Sequence, residues 1–208
     1  MTGKSEFSGN SPHNTNAAWL SKELFELEQA VVQAARNYDI WWALKESNNR
    51  KKYVETMNHY PLYFLTAIGA HFTAFVTILY RVLEKRRDTH NLPRLLKRLR
   101  KEPNYSNSRL DEFDEACENL KSAWKKVAVL RNNALSHRSV DLDVNEVFRK
   151  AELKPDDIRI MIDDLFHLVN DMGHEYEDQL RTYASHATQD AEHLLSDLME
   201  FHIARNKQ

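Results

Sequence analysis

An arginine, two asparagines and a histidine fall within seven residues, Arg131-Asn132-Asn133-Ala134-Leu135-Ser136-His137, and carry the clearest chemistry in this 208-residue chain. An imidazole that titrates near neutrality moves protons, and a guanidinium holds a phosphoryl group through paired N–H bonds. Together they suit cleavage of an RNA phosphodiester. His137 is the candidate to take the 2′-hydroxyl proton or to protonate the 5′-oxygen leaving group. Arg131 is the candidate to bind the phosphate and stabilise charge on its non-bridging oxygens. Asn132 and Asn133 are supporting polar residues, able to orient the imidazole or contact ribose. The scheme needs neither a metal nor a cofactor.

These residues must be positioned by the helix that precedes them, expected over about 109–136. Its apolar residues Leu110, Phe113, Cys117, Leu120, Trp124 and Val127 follow a 3-4-3-4-3 spacing, one buried face. The next place on that seam is 131, an arginine. A guanidinium facing a core costs several kcal/mol unless it is paired or opens onto a solvated cleft, and such breaches of packing rules mark function. Arg131 and His137 lie about 120° apart on an ideal helix. They serve one site if the helix unwinds after Ser136, or if two copies meet at a symmetric interface. Ser139 to Asp143 does not continue the helical pattern and reads as a loop. The helix C-terminus favours the imidazolium of His137, while Arg131 and Arg138 oppose it, giving an expected pKa near neutral. Spacing alone is unspecific, because Arg181 and His186 stand in a similar relation. The seam arginine, the adjacent Asn132 and the following Arg138 set the 131–137 copy apart.

Only 4 Gly and 5 Pro punctuate the chain, and long apolar seams recur. Both point to an all-α fold: a helical bundle of four to five long helices with short accessory helices. Residues 1–14 lack an apolar core and read as a disordered tail without a secretory signal. A first helix over 15–46 places Leu20, Leu24, Leu27, Val31, Ala34, Tyr38 and Trp41 on its seam, and Ser47-Asn48-Asn49 breaks it. A short piece spans 50–58. A helix over 62–87 turns Leu65, Ile68, Phe72, Phe75, Val76, Leu79, Val82 and Leu83 inward. Residues 56–80 contain no Asp, Glu, Lys or Arg, yet His59, Pro61, Gly69, His71 and three threonines interrupt them. They read as a buried bundle helix, not a membrane span. Pro155 opens a helix with Ile158, Met161, Ile162, Leu165, Leu168, Val169 and Met172 inward. Thr188 is the expected cap of a last helix carrying Ala191, Leu194, Leu195, Leu198 and Met199.

The net charge is −2, so any polyanion site must be a local patch. Lys85, Arg86, Arg87, Arg94, Lys97, Arg98, Arg100 and Lys101 form the only dense one. With Arg138, Lys85, Arg86, Arg87, Arg94, Lys97 and Arg98 are the candidate contacts to RNA phosphates; a solvated charged face is the other reading. No aromatics interleave these charges to stack bases. The histidine pairs 167/174 and 186/193 are about 10 Å apart along a helix, too far to share a metal. A single cysteine, Cys117, fits a reducing cytoplasm and a structural thiol. Trp41, Trp42 and Trp124 read as core aromatics.

The segment Leu130-Arg-Asn-Asn-Ala-Leu-Ser-His-Arg138 resembles the signature of HEPN domains: arginine, a polar residue, then histidine after four to six intervening residues. A second match, a helix ending in Lys85-Arg86-Arg87 and leading into Asn91-Leu92-Pro93-Arg94-Leu95-Leu96, is similar to the abortive-infection (toxin and phage-defence) branch. Together they cover roughly residues 15–175, expected as the HEPN-like bundle, with 176–208 a helical extension. The resemblance implies a homodimer whose motifs line a shared cleft. It implies metal-independent endoribonuclease activity through Arg131 and His137, with RNA as substrate and an antitoxin protein as a further partner. Some relatives carry a tyrosine two residues after the histidine, the target of a modifying antitoxin; here it is Ser139, so that route of control is not expected. Two rival readings remain: a non-catalytic module that binds RNA, nucleotide or protein, and a structural arginine paired with an acidic residue.

Overall fold

The computed structural model describes residues 12–102, 105–133, 144–177 and 186–205. Among these the chain forms eight helices and no strand: α1 (Pro12–Lys45), α2 (Ser47–His59), α3 (Pro61–Leu83), α4 (Leu92–Leu99), α5 (Asn107–Arg131), α6 (Val144–Ala151), α7 (Pro155–Glu177) and α8 (Ala187–Arg205). The all-α expectation holds. α1 is the central element, packing on α3, α7, α8 and α2, while α5 packs on α3, α4, α6 and α7.

Every expected seam residue of α1 and of α7 is buried. α1 meets α3 and α6 in an aromatic cluster of Tyr38, Trp41, Phe72, Phe75 and Phe148, whose rings meet at tilted or edge-on angles, Trp41 and Phe148 stacking at 5.7 Å. Such rings bury large areas and their offset contacts add about 0.5–1.5 kcal/mol per pair. The Tyr38 hydroxyl crosses to α7, donating to the Pro155 carbonyl at 2.9 Å. Burial pushes its pKa up to about 12.

Several boundaries differ from those the sequence predicts, each for a local reason. α1 starts at Pro12, so only residues 1–11 of the expected tail lie outside the described residues. The break after α1 comes at Glu46, whose carboxylate accepts from the amides of Asn48 and Asn49 and so caps α2. α3 stops at Leu83 rather than 87, leaving the basic turn 84–91 non-helical. Thr188 is not the cap of α8. The helix begins one residue before it, and His186 holds the capping place, its carbonyl accepting from Asp190.

α3 is buried only in part. Phe72, Phe75, Val76, Leu79, Val82 and Leu83 are enclosed, whereas Leu65 is 67% exposed, beside exposed Leu62 and Tyr63. The first turns of α3 therefore project beyond the body of the bundle with an apolar surface. By length and composition the helix could cross a membrane. Leu194 of α8 is likewise exposed, while its neighbour Leu195 joins a second small core with Leu44, Tyr53, Met57 and Phe64.

Candidate RNA-processing site and basic groove

Arg131 is the last residue of α5, and the helix widens after it into a π turn at Asn132 and Asn133. The Asn132 amide donates to the carbonyls of both Ala128 and Val129. Such turns often mark functional sites. Residues 134–143, and with them His137 and Arg138, lie outside the described residues.

Leu130, fully buried, takes the last core position of α5, and Arg131 is half-buried beside it. The guanidinium carbon sits 4.5 Å from the centroid of the Tyr80 ring. That ring in turn stacks on Trp124, with centroids 5.5 Å apart and planes 20° from parallel. The Trp124 indole N–H donates to the Tyr80 carbonyl at 2.9 Å, fixing the stack across the α3–α5 seam. A guanidinium over an aromatic face gains about 0.5–2 kcal/mol and keeps its N–H edge free for an anion. Its one hydrogen bond among the described residues goes to the Asn132 side-chain oxygen, at 3.3 Å. No carboxylate pairs with it there. Of the two supporting polar residues, Asn132 is thus attached to Arg131. Asn133 instead donates to the Val129 carbonyl at 2.8 Å, satisfying the helix end.

The basic residues of 85–101 come together as a groove. Lys85, Arg86, Arg87, Pro93, Arg94, Lys97, Arg98 and Lys101 line a space of about 770 Å³ between the 84–91 turn and α4. No acidic side chain is among them. The groove has a built foundation. Asn91, fully buried, caps α4 by accepting from the Arg94 amide and donates to the carbonyls of Arg86 and Thr89, which locks the turn. Buried Glu23 of α1 receives His90 at 2.9 Å and Arg94 at 3.2 Å. Arg98 lies 3.5 Å from the Trp19 ring centroid, and Arg86 pairs with Asp88. Arg100 turns away to Asp111 and Asp114 of α5. Asn91 carried a legible signal, a capping residue directly before Leu-Pro at a helix start. Glu23 did not, because nothing in α1 alone shows what it faces.

Other candidates dissolve into structure. Cys117 is half-buried, and burial pushes its thiol up to about 12, far from the thiolate that attack requires. Among the described residues no three His, Cys, Asp or Glu side chains converge as a metal site.

The sequence model of the AbiU2 family of HEPN domains matches residues 20–194. No curated protein and no solved structure matches the chain. The match spans most of the bundle, from the seam of α1 into α8, and includes both the α5 terminus with Arg131 and the basic groove. The chain belongs to the HEPN AbiU2 family, within the abortive-infection-associated branch of the HEPN superfamily.

Proposed function

We propose that this abortive-infection module is a metal-independent endoribonuclease in which Arg131 and His137 act at a cleft shared by two copies. The observation that carries the reading is the state of Arg131: half-buried, held over Tyr80 by a stacked aromatic, and without a carboxylate partner among the described residues. A cation so placed can receive a phosphate without first giving up an ion pair.

In the proposed reaction the 2′-oxygen attacks phosphorus as its proton passes to a base, the P–O5′ bond breaks, and the 5′-oxygen is protonated. The products are a 2′,3′-cyclic phosphate and a 5′-hydroxyl. His137 is the proton carrier by its chemistry and its place in the family motif. Arg131 stabilises the charge that develops on the non-bridging oxygens. The second copy is taken from the family motif; the uncharged, exposed start of α3, where Leu62, Tyr63 and Leu65 stand free, is an apolar surface that it can bury, about 22 Å along α3 from Tyr80 and Arg131. In this reading the protein works in the cytoplasm, held in check by an antitoxin protein. Leu65→Glu is expected to turn a dimer into a monomer, as read from the molar mass in solution.

Cleavage of total cellular RNA in EDTA, comparing wild type with His137→Ala, tests the reading. EDTA-resistant cleavage by wild type alone supports it. Equal cleavage by both proteins contradicts it. An inert wild type that still binds RNA would favour a non-catalytic binding module of the same fold.

A further inference from the structure

We infer that the groove between the 84–91 turn and α4 is an exosite for the sugar-phosphate backbone of RNA, built from residues other than those of the Arg131–His137 motif. The inference deepens the ribonuclease reading by naming where the substrate is held, but the binding itself stands on the groove alone. Seven cationic side chains line the groove without an acidic one, in a chain whose net charge is −2. Local charge of this density, set against that balance, selects a polyanion.

The groove divides into a fixed wall and free charges. Arg86, Arg94 and Arg98 are engaged with Asp88, Glu23 and Trp19 and shape the wall. Arg87, Lys97 and Lys101 are exposed and have no ion pair among the described residues. Lysines on flexible stems serve as point charges for phosphates and do not read bases. The one aromatic ring at hand, Trp19, has a face covered by Arg98 at 3.5 Å, so it offers no platform for base stacking. Binding is therefore backbone-directed and independent of sequence.

The groove lies next to the proposed cleavage centre. Tyr80, the platform under Arg131, stands five residues before Lys85, at the end of α3 from which the basic turn leaves. The exosite holds the strand beside the place where Arg131 acts on it.

The test is binding of a fluorescent 20-nucleotide 2′-O-methyl RNA, which cannot be cleaved through its 2′-oxygen, across a salt series. The full-length protein is compared with Arg87→Glu/Lys97→Glu/Lys101→Glu. A charge-matched control, Arg50→Glu/Lys51→Glu/Lys52→Glu on α2, changes the net charge equally at another surface. The groove variant is expected to bind at least tenfold more weakly at low salt. Its slope of log affinity against log salt should be shallower by about 2, near 0.7 for each of three lost phosphate contacts. The control is expected to bind like wild type. Equal binding by groove variant and wild type overturns the exosite, whether or not RNA is cleaved. So does a wild type that does not bind this RNA, which would leave the groove to an acidic protein partner. Groove-dependent binding in a protein that cleaves nothing upholds the exosite and sinks the ribonuclease reading instead.

Discussion

Two arginines of this bundle lie over tyrosine rings, and they differ in what else they touch. Arg159 of α7 sits 4.6 Å from the Tyr38 ring and also donates to Asp39, a carboxylate buried in α1. Arg131 sits 4.5 Å from the Tyr80 ring and has no such partner among the described residues. The first arrangement is closed: charge meets charge and the helices are tied together. The second leaves the guanidinium edge available. Arg94 is closed in the same way by buried Glu23, whereas Arg98, over Trp19 at 3.5 Å, shares the open state of Arg131 among the described residues. Arg131 lacks a carboxylate among the described residues, and what sets it apart from Arg98 is its place in the Arg131–His137 motif.

The contrast breaks if Arg131 proves dispensable for cleavage, and this is where the largest effect is expected. Arg131→Ala should lower the RNA cleavage rate by about 10²–10³, the usual loss for one oxyanion-stabilising group. The opposite signature is expected at Arg159→Ala. It strands buried Asp39, and because Arg159 is itself one-third exposed, the loss should be about 2–4 kcal/mol, somewhat under that of a fully buried pair. For a domain of this size the melting temperature should fall by on the order of 10 °C.

Tyr80 sharpens the comparison. Tyr80→Leu removes the platform under Arg131 and should slow cleavage roughly 10- to 100-fold through misplacement of the guanidinium. Tyr80→Phe keeps the ring and should restore the rate, as single-turnover kinetics on one RNA would show.

The smallest effect is a stability change with pH. Burial lowers the pKa of His71, and burial with nearby His59 and Arg205 lowers that of His202, from 6.5. His71 is held beside Asn37, and His202 stacks on His59 at 4.0 Å. Both folded-state values lie below the unfolded one, so neutral imidazole is favoured in the fold. This contribution is complete above about pH 6.5 and is lost as the pH falls below it. Thermal melts at pH 7.5 and 5.5 should differ in that direction, and the difference should shrink in His71→Asn/His202→Asn.

Much of this fold is legible in the sequence because its seams are long. Seven residues at helical spacing in α1, and seven more in α7, identify a buried face before any partner is known. Shorter signals fail where tertiary packing decides. Leu65 and Leu194 fit their helical patterns, yet each lies where no neighbouring helix covers it. The basic turn is visible as composition, but its shape depends on Glu23, 62 residues upstream of Lys85, and on Asn91. Arg131 stands out as an arginine on the predicted seam, but Leu130 takes the core position there and Arg131 is half-buried beside it. Its environment was not legible, since Tyr80 and Trp124 come from different helices and meet only when α3 packs on α5. The sequence pattern predicts α5 through Ser136; a π turn at Asn132 and Asn133 follows the regular helix at Arg131, and 134–136 lie outside the described residues. Helix ends are set by local hydrogen bonds that periodicity does not see.

The most direct test of the central claim is a paired measurement of RNA cleavage in EDTA and of melting temperature for Arg131→Ala and Arg159→Ala beside wild type. The account predicts a double dissociation. Arg131→Ala loses cleavage while melting within about 2–4 °C of wild type, the loss of one cation–π contact. Arg159→Ala melts well below both while its folded fraction still cleaves. An Arg131→Ala protein that cleaves like wild type, or that is destabilised as strongly as Arg159→Ala, would contradict it and make Arg131 one more structural arginine.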